Sequence, residues 1–315
     1  MILGIEIGGT KLQFGVGDFQ PADAQLVALE RCSIDRDEGA EGILRQIKIL
    51  APKLIEKYQV AALGIGFGGP VNWEQRSTIT SHQVQGWDQF PLGEWCNQQL
   101  GMLPDIGNDC DVAALAEATL GAGRGARRVF YVTIGTGIGG GLVIDGQIDG
   151  QGRPSVAEIG HLRPGLEAVE LGCTVESFAS GLGIETQALQ LLSDSLAGSD
   201  QELAELRSLQ IESQLSAKNI ASLALAGNEL AAGVLNQAAR HLGWAIAQMI
   251  TLVAPERVVI GGGVALIGEP LFARLRSHVQ QYVFPTLADS VSLLPAALGE
   301  ETVVHGAIQL VRGRQ

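Results

Sequence analysis

Cysteine is scarce and scattered. The four in the 315 residues are Cys32, Cys96, Cys110 and Cys173, with no paired spacing and no CxxC, so neither a disulfide framework nor a CxxC zinc site is indicated. That usage fits a reducing compartment, and a cytoplasmic protein is expected. Basic residues are also few: Lys and Arg total 21 against 34 Asp and Glu, for a formal net charge of -13. A nucleic-acid surface needs clustered Lys and Arg on the phosphates, so no nucleic-acid partner is expected. No uninterrupted apolar stretch looks membrane-spanning, and the opening MILGIEIGG lacks the basic start and long apolar core of a signal peptide, so no membrane association is expected.

Glycine, by contrast, is abundant at 42 residues, in a chain that is 46% hydrophobic and 17% charged. This is a globular composition with many tight turns, and the length suggests two domains sharing a cleft. Residues 2–7 and 12–17 read as strands joined by Gly8-Gly9-Thr10-Lys11, a hairpin-like opening. A helical pattern over about 40–57 contains Pro52 as an expected kink, and the apolar run Ala62 to Phe67 reads as a buried strand ending at Gly68-Gly69-Pro70. A loop-rich stretch runs through Trp87. Leu103 to Gly107 then reads as a short strand, with Asn108 or Asp109 capping a helix through Ala118. Residues 128–134 and 141–145 form a second strand pair around Gly135-Thr136-Gly137-Ile138-Gly139-Gly140, so the opening arrangement recurs as a weak internal repeat. Helices dominate from about 176 to 253, the last a long apolar one from Asn228 to Val253. Arg257 to Ile260 reads as a strand entering Gly261-Gly262-Gly263, followed by helices near 270–279 and 302–311.

Three glycine corners, Gly8-Gly9-Thr10, Gly135-Thr136-Gly137 and Gly261-Gly262-Gly263, each follow a β-branched strand. Glycine lets a phosphate approach the backbone, and Thr10 and Thr136 add hydroxyl donors. Each alone is equally a tight turn. Together they suit a polyphosphate held from two sides, and they are neither a Walker A loop, since GxxxxGK[ST] is absent, nor a dinucleotide fingerprint.

A phosphoryl-transfer site also needs a group that orients or deprotonates the attacking hydroxyl. Asp109, at a strand-to-helix corner, is the candidate general base, with Asn108 beside it on a neighbouring hydroxyl. The same pair also reads as an ordinary helix cap. Glu158 and His161, in AEIGH, are candidates for vicinal hydroxyls; a surface pair or two metal ligands are the alternatives. Glu176 reads equally as a dipole-compatible acid in a first helical turn.

In order, GIEIGGTK, GGPV, GNDCDVAALAE, TIGTGIGGGLVIDGQ, AEIGH, ESFASG and VIGGGV resemble the ROK family of bacterial sugar kinases and related repressors, nearly end to end. The resemblance implies an α/β, two-lobed actin-like ATPase (ribonuclease H-like) fold with the active site in the interlobe cleft. The lobes are expected as a small α/β lobe over 1–112, with 302–315 returning to it, and a large α/β lobe over 113–301. The implied activity is ATP-dependent phosphorylation of a hexose hydroxyl, glucose to glucose 6-phosphate first, with N-acetylated hexosamines, mannose and fructose as alternatives. It assigns Asp109 as the base and Gly69, Gln83, Asn108, Glu158, His161 and Glu176 to the sugar. Gly8, Gly9, Thr10, Lys11, Gly135, Thr136 and Gly137 are assigned to the phosphates, and Gly262 and Gly263 to the nucleoside. A homodimer and Mg²⁺ are also implied.

Three departures stand out. Glu6 replaces the family's usual Asp, one methylene shorter, and an indirect contact to Mg²⁺ through Glu6 is expected. The family's run of closely spaced cysteines after the GH pair is reduced to Cys173, and no structural zinc is expected. Gln83-Val84-Gln85-Gly86-Trp87 stands where many members carry Asn before Pro-Gly-Trp, so the contact to the sugar's reactive end is altered. Because ROK repressors carry a helix-turn-helix ahead of the first phosphate motif, on which this sequence opens, a DNA-binding repressor is not expected. A sugar-sensing, non-catalytic ROK protein is the competing reading, and an actin-like structural ATPase a third.

Overall fold

The computed structural model describes residues 1–18, 25–81, 83–150, 153, 155–194 and 201–313. The chain divides into two compact units: Met1–Tyr131 with Gly141–Ala157 and Ala296–Gln315, and Val132–Gly140 with Glu158–Pro295.

The first unit opens with β1 (Ile2–Ile7), β2 (Lys11–Gly17) and β3 (Ala28–Ser33), then α1 (Gly39–Tyr58), β4 (Ala62–Phe67), the short β5 (Val71–Asn72) and β6 (Ser77–Thr78), α2 (Leu92–Leu100), β7 (Asp105–Asn108) and α3 (Asp109–Thr119). Its main sheet has the order β3-β2-β1-β4-β7. All six residues of β1 are buried, as a central strand covered on both faces requires. β1 pairs antiparallel with β2 and parallel with β4, and β4 pairs parallel with β7, with Ile7 opposite Phe67 and Phe67 opposite Asn108. Three parallel strands therefore end at one edge, where Gly8, Gly68 and Asp109 follow. Leu3, Ile5 and Ile7 alternate onto the face packed with Ile43, Ile47 and Leu54 of α1. That helix continues past Pro52 to Tyr58 and ends at Gln59, whose φ of 50° reverses the chain. The polar edge strand β3, half exposed, lies outside the expected elements, and β7 starts two residues and ends one residue later than the expected Leu103–Gly107.

The chain continues through β8 (Arg128–Ile134), β9 (Ile138–Ile144), β10 (Gln147–Ile148), α4 (Val175–Ala179), α5 (Gly181–Asp194), α6 (Gln201–Ile211), α7 (Ala217–Leu225), α8 (Glu229–Val253), β11 (Arg257–Gly261), α9 (Glu269–Tyr282) and β12 (Ser292–Pro295). The second sheet runs β10-β9-β8-β11-β12. It repeats the rank order of the first: third, second, first, fourth, fifth. The recurrence of the opening hairpin thus extends to a whole sheet. β9 begins at Ile138, three residues before the expected start, because Gly139-Gly140 remain extended instead of turning. α8 is the long buried helix expected, capped by Asn228, whose side chain accepts Ala231 N–H at 2.9 Å. Among the described residues the helical stretch before it forms four helices, and its residues 195–200 lie outside the described residues.

α10 (Thr302–Arg312) belongs to the first unit, where it packs along α3 and against β1 and β4. The even-numbered face of the sheet accepts it because side chains are missing there: a Cβ on Gly4 would lie 2.7 Å from the Val304 carbonyl oxygen, and one on Gly64 only 1.9 Å from that of Ala307. Ile2, Val304, Ile308 and Val311 fill the remaining space. The units differ from the expected lobes in their bounds. Residues 113–131, 141–157 and 296–301 fall in the first, since α3 runs on to Thr119 alongside α10 and β10 packs against α3.

Candidate active site

In the first unit, Asn108 and Asp109 stand where β7 turns into α3. Asn108 caps the helix: its Oδ1 accepts the N–H of Cys110 at 2.9 Å and of Asp111 at 3.3 Å, while its Nδ2 donates to the Gly69 carbonyl at 3.0 Å. The cap reading is therefore correct for Asn108, which also anchors the Gly68-Gly69 turn. Asp109 is the first helical residue, and its Oδ1 accepts Cys110 N–H at 2.9 Å. Its Oδ2 lies 3.7 Å from where a Cβ on Gly68 would stand, and that same point is 3.4 Å from Gly8 Cα. A carboxylate on the positive end of a helix thus adjoins two glycine turns.

The Gly8-Gly9-Thr10 turn is held from several sides. Gly8 N–H donates to the Lys11 carbonyl at 3.1 Å, and Gly68 N–H donates to that of Ile7 at 2.8 Å. Arg36 Nε donates to the Gly9 carbonyl at 2.8 Å. Gln83 lies directly over Gly9, where its Oε1 would be 1.7 Å from an added Cβ. The loop bearing Gln83 is pinned by Trp87, which is buried edge-on between Phe67 and Phe90 with ring centroids at 5.2 and 5.4 Å.

Beneath that turn, Glu6 is 5% exposed. Its Oε1 lies 3.4 Å from Lys11 Nζ, and its Oε2 accepts Gln13 Nε2 at 2.6 Å. Burial pushes the Glu6 carboxyl up from 4.5 to about 7, a rise opposed by Lys11 and Gln13 and increased by the charge of Asp109. Glu6 and Asp109 are thus electrostatic neighbours.

In the second unit, the glycine corners that end β8 and β11 adjoin. Gly262 takes φ 87°, and a Cβ there would lie 2.5 Å from the Ile134 carbonyl oxygen, so only glycine fits. Gly135 and Gly263 face open space. Gly135 N–H donates to the Gly137 carbonyl at 2.9 Å, and Gly181 N–H, at the start of α5, donates to that of Gly135 at 2.8 Å. Thr136 is exposed at the tip of this turn.

Glu176 lies within the same group. Thr174 caps α4 in a capping box with Ser177, and Glu176 Oε2 accepts Ile138 N–H at 2.7 Å. Its carboxylate braces the second glycine turn. Glu158 precedes and His161 ends the short 3-10 turn Ile159–His161, with His161 N–H donating to the Glu158 carbonyl at 3.1 Å, and both residues are exposed. Gly160 permits this, since a Cβ there would lie 2.2 Å from the Ile138 carbonyl oxygen. The turn is therefore seated against the start of β9. Among the described residues no group of three or more His, Cys, Asp or Glu is placed to hold a metal ion.

The profile of the ROK family matches residues 2–314. The chain belongs to the ROK family. Its α/β architecture is the actin-like ATPase fold of ROK kinases. A glucokinase of Halalkalibacterium halodurans is 30% identical over 323 aligned positions, covering 99% of this chain and 95% of the relative. The crystal structure of a ROK family glucokinase from Streptomyces griseus, in complex with glucose and AMPPNP, superposes with a TM-score of 0.79 at 27% identity and covers 98% of each chain. A putative xylose repressor of Caldicellulosiruptor sp. is 26% identical over 99% of this chain and 78% of its own length.

Several residues of this ROK protein that touch the site escaped the sequence reading. Gln13 carried a signal, a lone amide inside the apolar strand KLQFGVG, and is fully buried. Arg36 and Ser81 carried none. Ser81 Oγ reaches the Gly68 carbonyl at 3.5 Å, a link between segments too far apart in sequence for local patterning to show.

Proposed function

We propose that this ROK protein is an ATP-dependent sugar kinase that phosphorylates a hexose hydroxyl, with glucose to glucose 6-phosphate as its reaction. Family membership and the glucokinase relatives support the class. The observation that carries it is the Asp109 carboxylate, set at the N-terminus of α3 against the glycine turns that end β1 and β4. Phosphoryl transfer asks the protein mainly for positioning, plus a group to take the hydroxyl proton. Asp109 takes that proton as the hydroxyl attacks the γ-phosphate. Asn108, Gly69, Gln83, Glu158, His161 and Glu176 orient the sugar. Gln83 reaches Gly9, so it serves the reacting end, and the Glu176 carboxylate works partly through the turn it braces.

ATP is assigned to Gly8, Gly9, Thr10, Lys11, Gly135, Thr136 and Gly137 at its phosphates, and to Gly262 and Gly263 at its nucleoside. Gly135 and Gly263, open on their Cβ side, leave room for a ligand. Mg²⁺ fits this donor set as an ion that arrives with the nucleotide. Glu6 and Asp109 are neighbouring carboxylates, but Glu6 already engages Lys11 and Gln13, so it would hold the ion through water, as Mg²⁺ prefers. When bound, the ion supplies charge neutralisation on the β- and γ-phosphates. No structural zinc is assigned.

No helix of the described residues is long and apolar enough to cross a membrane. A cytoplasmic homodimer without a nucleic-acid partner is our reading. The repressor relative favours one alternative, a sugar sensor without turnover, and kinases of N-acetylated hexosamines, mannose or fructose are others.

The deciding experiment is ADP release from Mg·ATP across glucose, mannose, fructose, N-acetylglucosamine and N-acetylmannosamine, with Asp109→Asn as control. Release that depends on sugar, and that falls by about 10²–10⁴-fold in the variant while sugar binding persists, is the expected result. Sugar binding without release in the wild type would select the sensor.

A further inference from the structure

The register across the first three strands sets Glu6 of β1 opposite Gln13 of β2, and Gln13 opposite Arg31 of β3. The three side chains join as well as align. Gln13 Nε2 donates to Glu6 Oε2 at 2.6 Å and to the Glu300 carbonyl at 3.0 Å, while Gln13 Oε1 accepts Arg31 Nε at 3.0 Å. Arg31 also pairs with Glu301. Lys11, two residues before Gln13 on the same face of β2, binds Glu6 Oε1 and donates to the Glu300 carbonyl at 3.0 Å. Gln13 is 0% exposed and is the member that touches Glu6, Arg31 and the segment leading into α10.

An amide is well suited to this place. Its NH₂ donates to the carboxylate and the carbonyl, and its oxygen accepts from the guanidinium, so each end has a partner of the right kind. A leucine would leave a buried carboxylate oxygen unpartnered, and a glutamate would set a like charge against Glu6. The carboxylate so fixed lies under the Gly8-Gly9-Thr10 turn, with Lys11 on its other oxygen. Any shift of Glu6 therefore moves the ammonium group next to that turn.

We propose that Gln13 is a positioning residue for nucleotide binding: through Glu6 it fixes Lys11 at the first phosphate turn, and Arg31 fixes Gln13 from the opposite side. This rests on the kinase reading, but its test reads nucleotide affinity directly. Calorimetry of Mg·ATP and of sugar binding, with steady-state KM and kcat, is made on wild type, Gln13→Leu, Arg31→Leu, Glu6→Gln and the Glu6→Gln/Gln13→Leu double variant. Arg31 lies at the surface, so Arg31→Leu tests the relay even if Gln13→Leu does not fold.

Gln13→Leu weakens Mg·ATP binding about tenfold and raises its KM alike, with the sugar constant within about twofold; Arg31→Leu moves the same way, less. In the Glu6→Gln background Gln13→Leu adds little, because Glu6 is the group it acts on. Unchanged nucleotide affinity in both Gln13→Leu and Arg31→Leu, equal losses for nucleotide and sugar, or additive effects in the double variant would overturn the proposal. A wild type that binds Mg·ATP but phosphorylates no sugar would strike the kinase reading and leave this comparison standing.

Discussion

The carboxylate of Glu176 accepts the backbone N–H of Ile138 at 2.7 Å, so a residue read from sequence as a sugar ligand or a helix-dipole acid also holds the second glycine turn in shape. Glu176→Gln keeps an acceptor for that N–H, whereas Glu176→Ala orphans it. Glu176→Ala is expected to raise the KM for ATP about tenfold, and Glu176→Gln by no more than about twofold. Steady-state kinetics at saturating sugar measure both. Equal effects of the two substitutions on ATP would show that the turn does not depend on this bond.

Glu6 gives the fold a pH dependence of definite sign. Its folded pKa is raised to about 7 from 4.5, chiefly by burial. The stabilisation gained by holding its proton is present near pH 4.5 and is lost as pH rises to about 7. His241 and His305, whose pKa values burial lowers below 6.5, act oppositely and lose stability as pH falls. The difference in thermal midpoint between wild type and Glu6→Gln isolates the first effect. It should shift in favour of the variant between pH 5 and 8.

Glu117 is a buried carboxylate outside the chemistry. With 0% exposure it accepts Ala122 N–H at 2.8 Å, Ala297 N–H at 2.9 Å and Leu298 N–H at 2.9 Å, tying the segment ahead of α10 to the end of α3. Glu117→Ala leaves three N–H groups without it and should cost about 3 kcal/mol in urea unfolding. Glu117→Gln, with one acceptor left, should cost less.

The glycines divide by what surrounds them. Gly64→Ala forces a Cβ against the Ala307 carbonyl and should destabilise by about 2 kcal/mol. Gly233→Ala, on the exposed side of α8 with nothing within 4 Å of the new atom, should stabilise by about 0.5–1 kcal/mol. Denaturation midpoints of the pair test whether α10 lies in backbone contact with the sheet at Gly64.

How much of this was legible in the sequence depended on whether a signal was local. β1, β4 and β11 were readable because buried central strands are short apolar runs bounded by glycine. The Asn108 cap was readable because capping is a contact across two or three residues. β3 was not, since ALERCS at an exposed edge carries no hydrophobic alternation. The start of β9 was misplaced because glycine suits a strand as well as a turn. Asp109, Asn108 and the three glycine corners were all singled out, yet the Glu176 bond to Ile138 spans 38 residues and the Gln13 bond to Glu300 spans 287. Such pairings are made by topology, which only the assembled sheet displays.

The helix that seals the even-numbered face of the first sheet is drawn from residues 302–312, after the whole of Glu158–Pro295 has been made. During synthesis at about 5–20 residues per second, that face waits roughly ten seconds or more for its cover. The glycines that later admit α10 so closely meanwhile present a smooth backbone with few side chains to shield it. The unit that contains the first sheet is thus the last to be closed, by the helix that ends it.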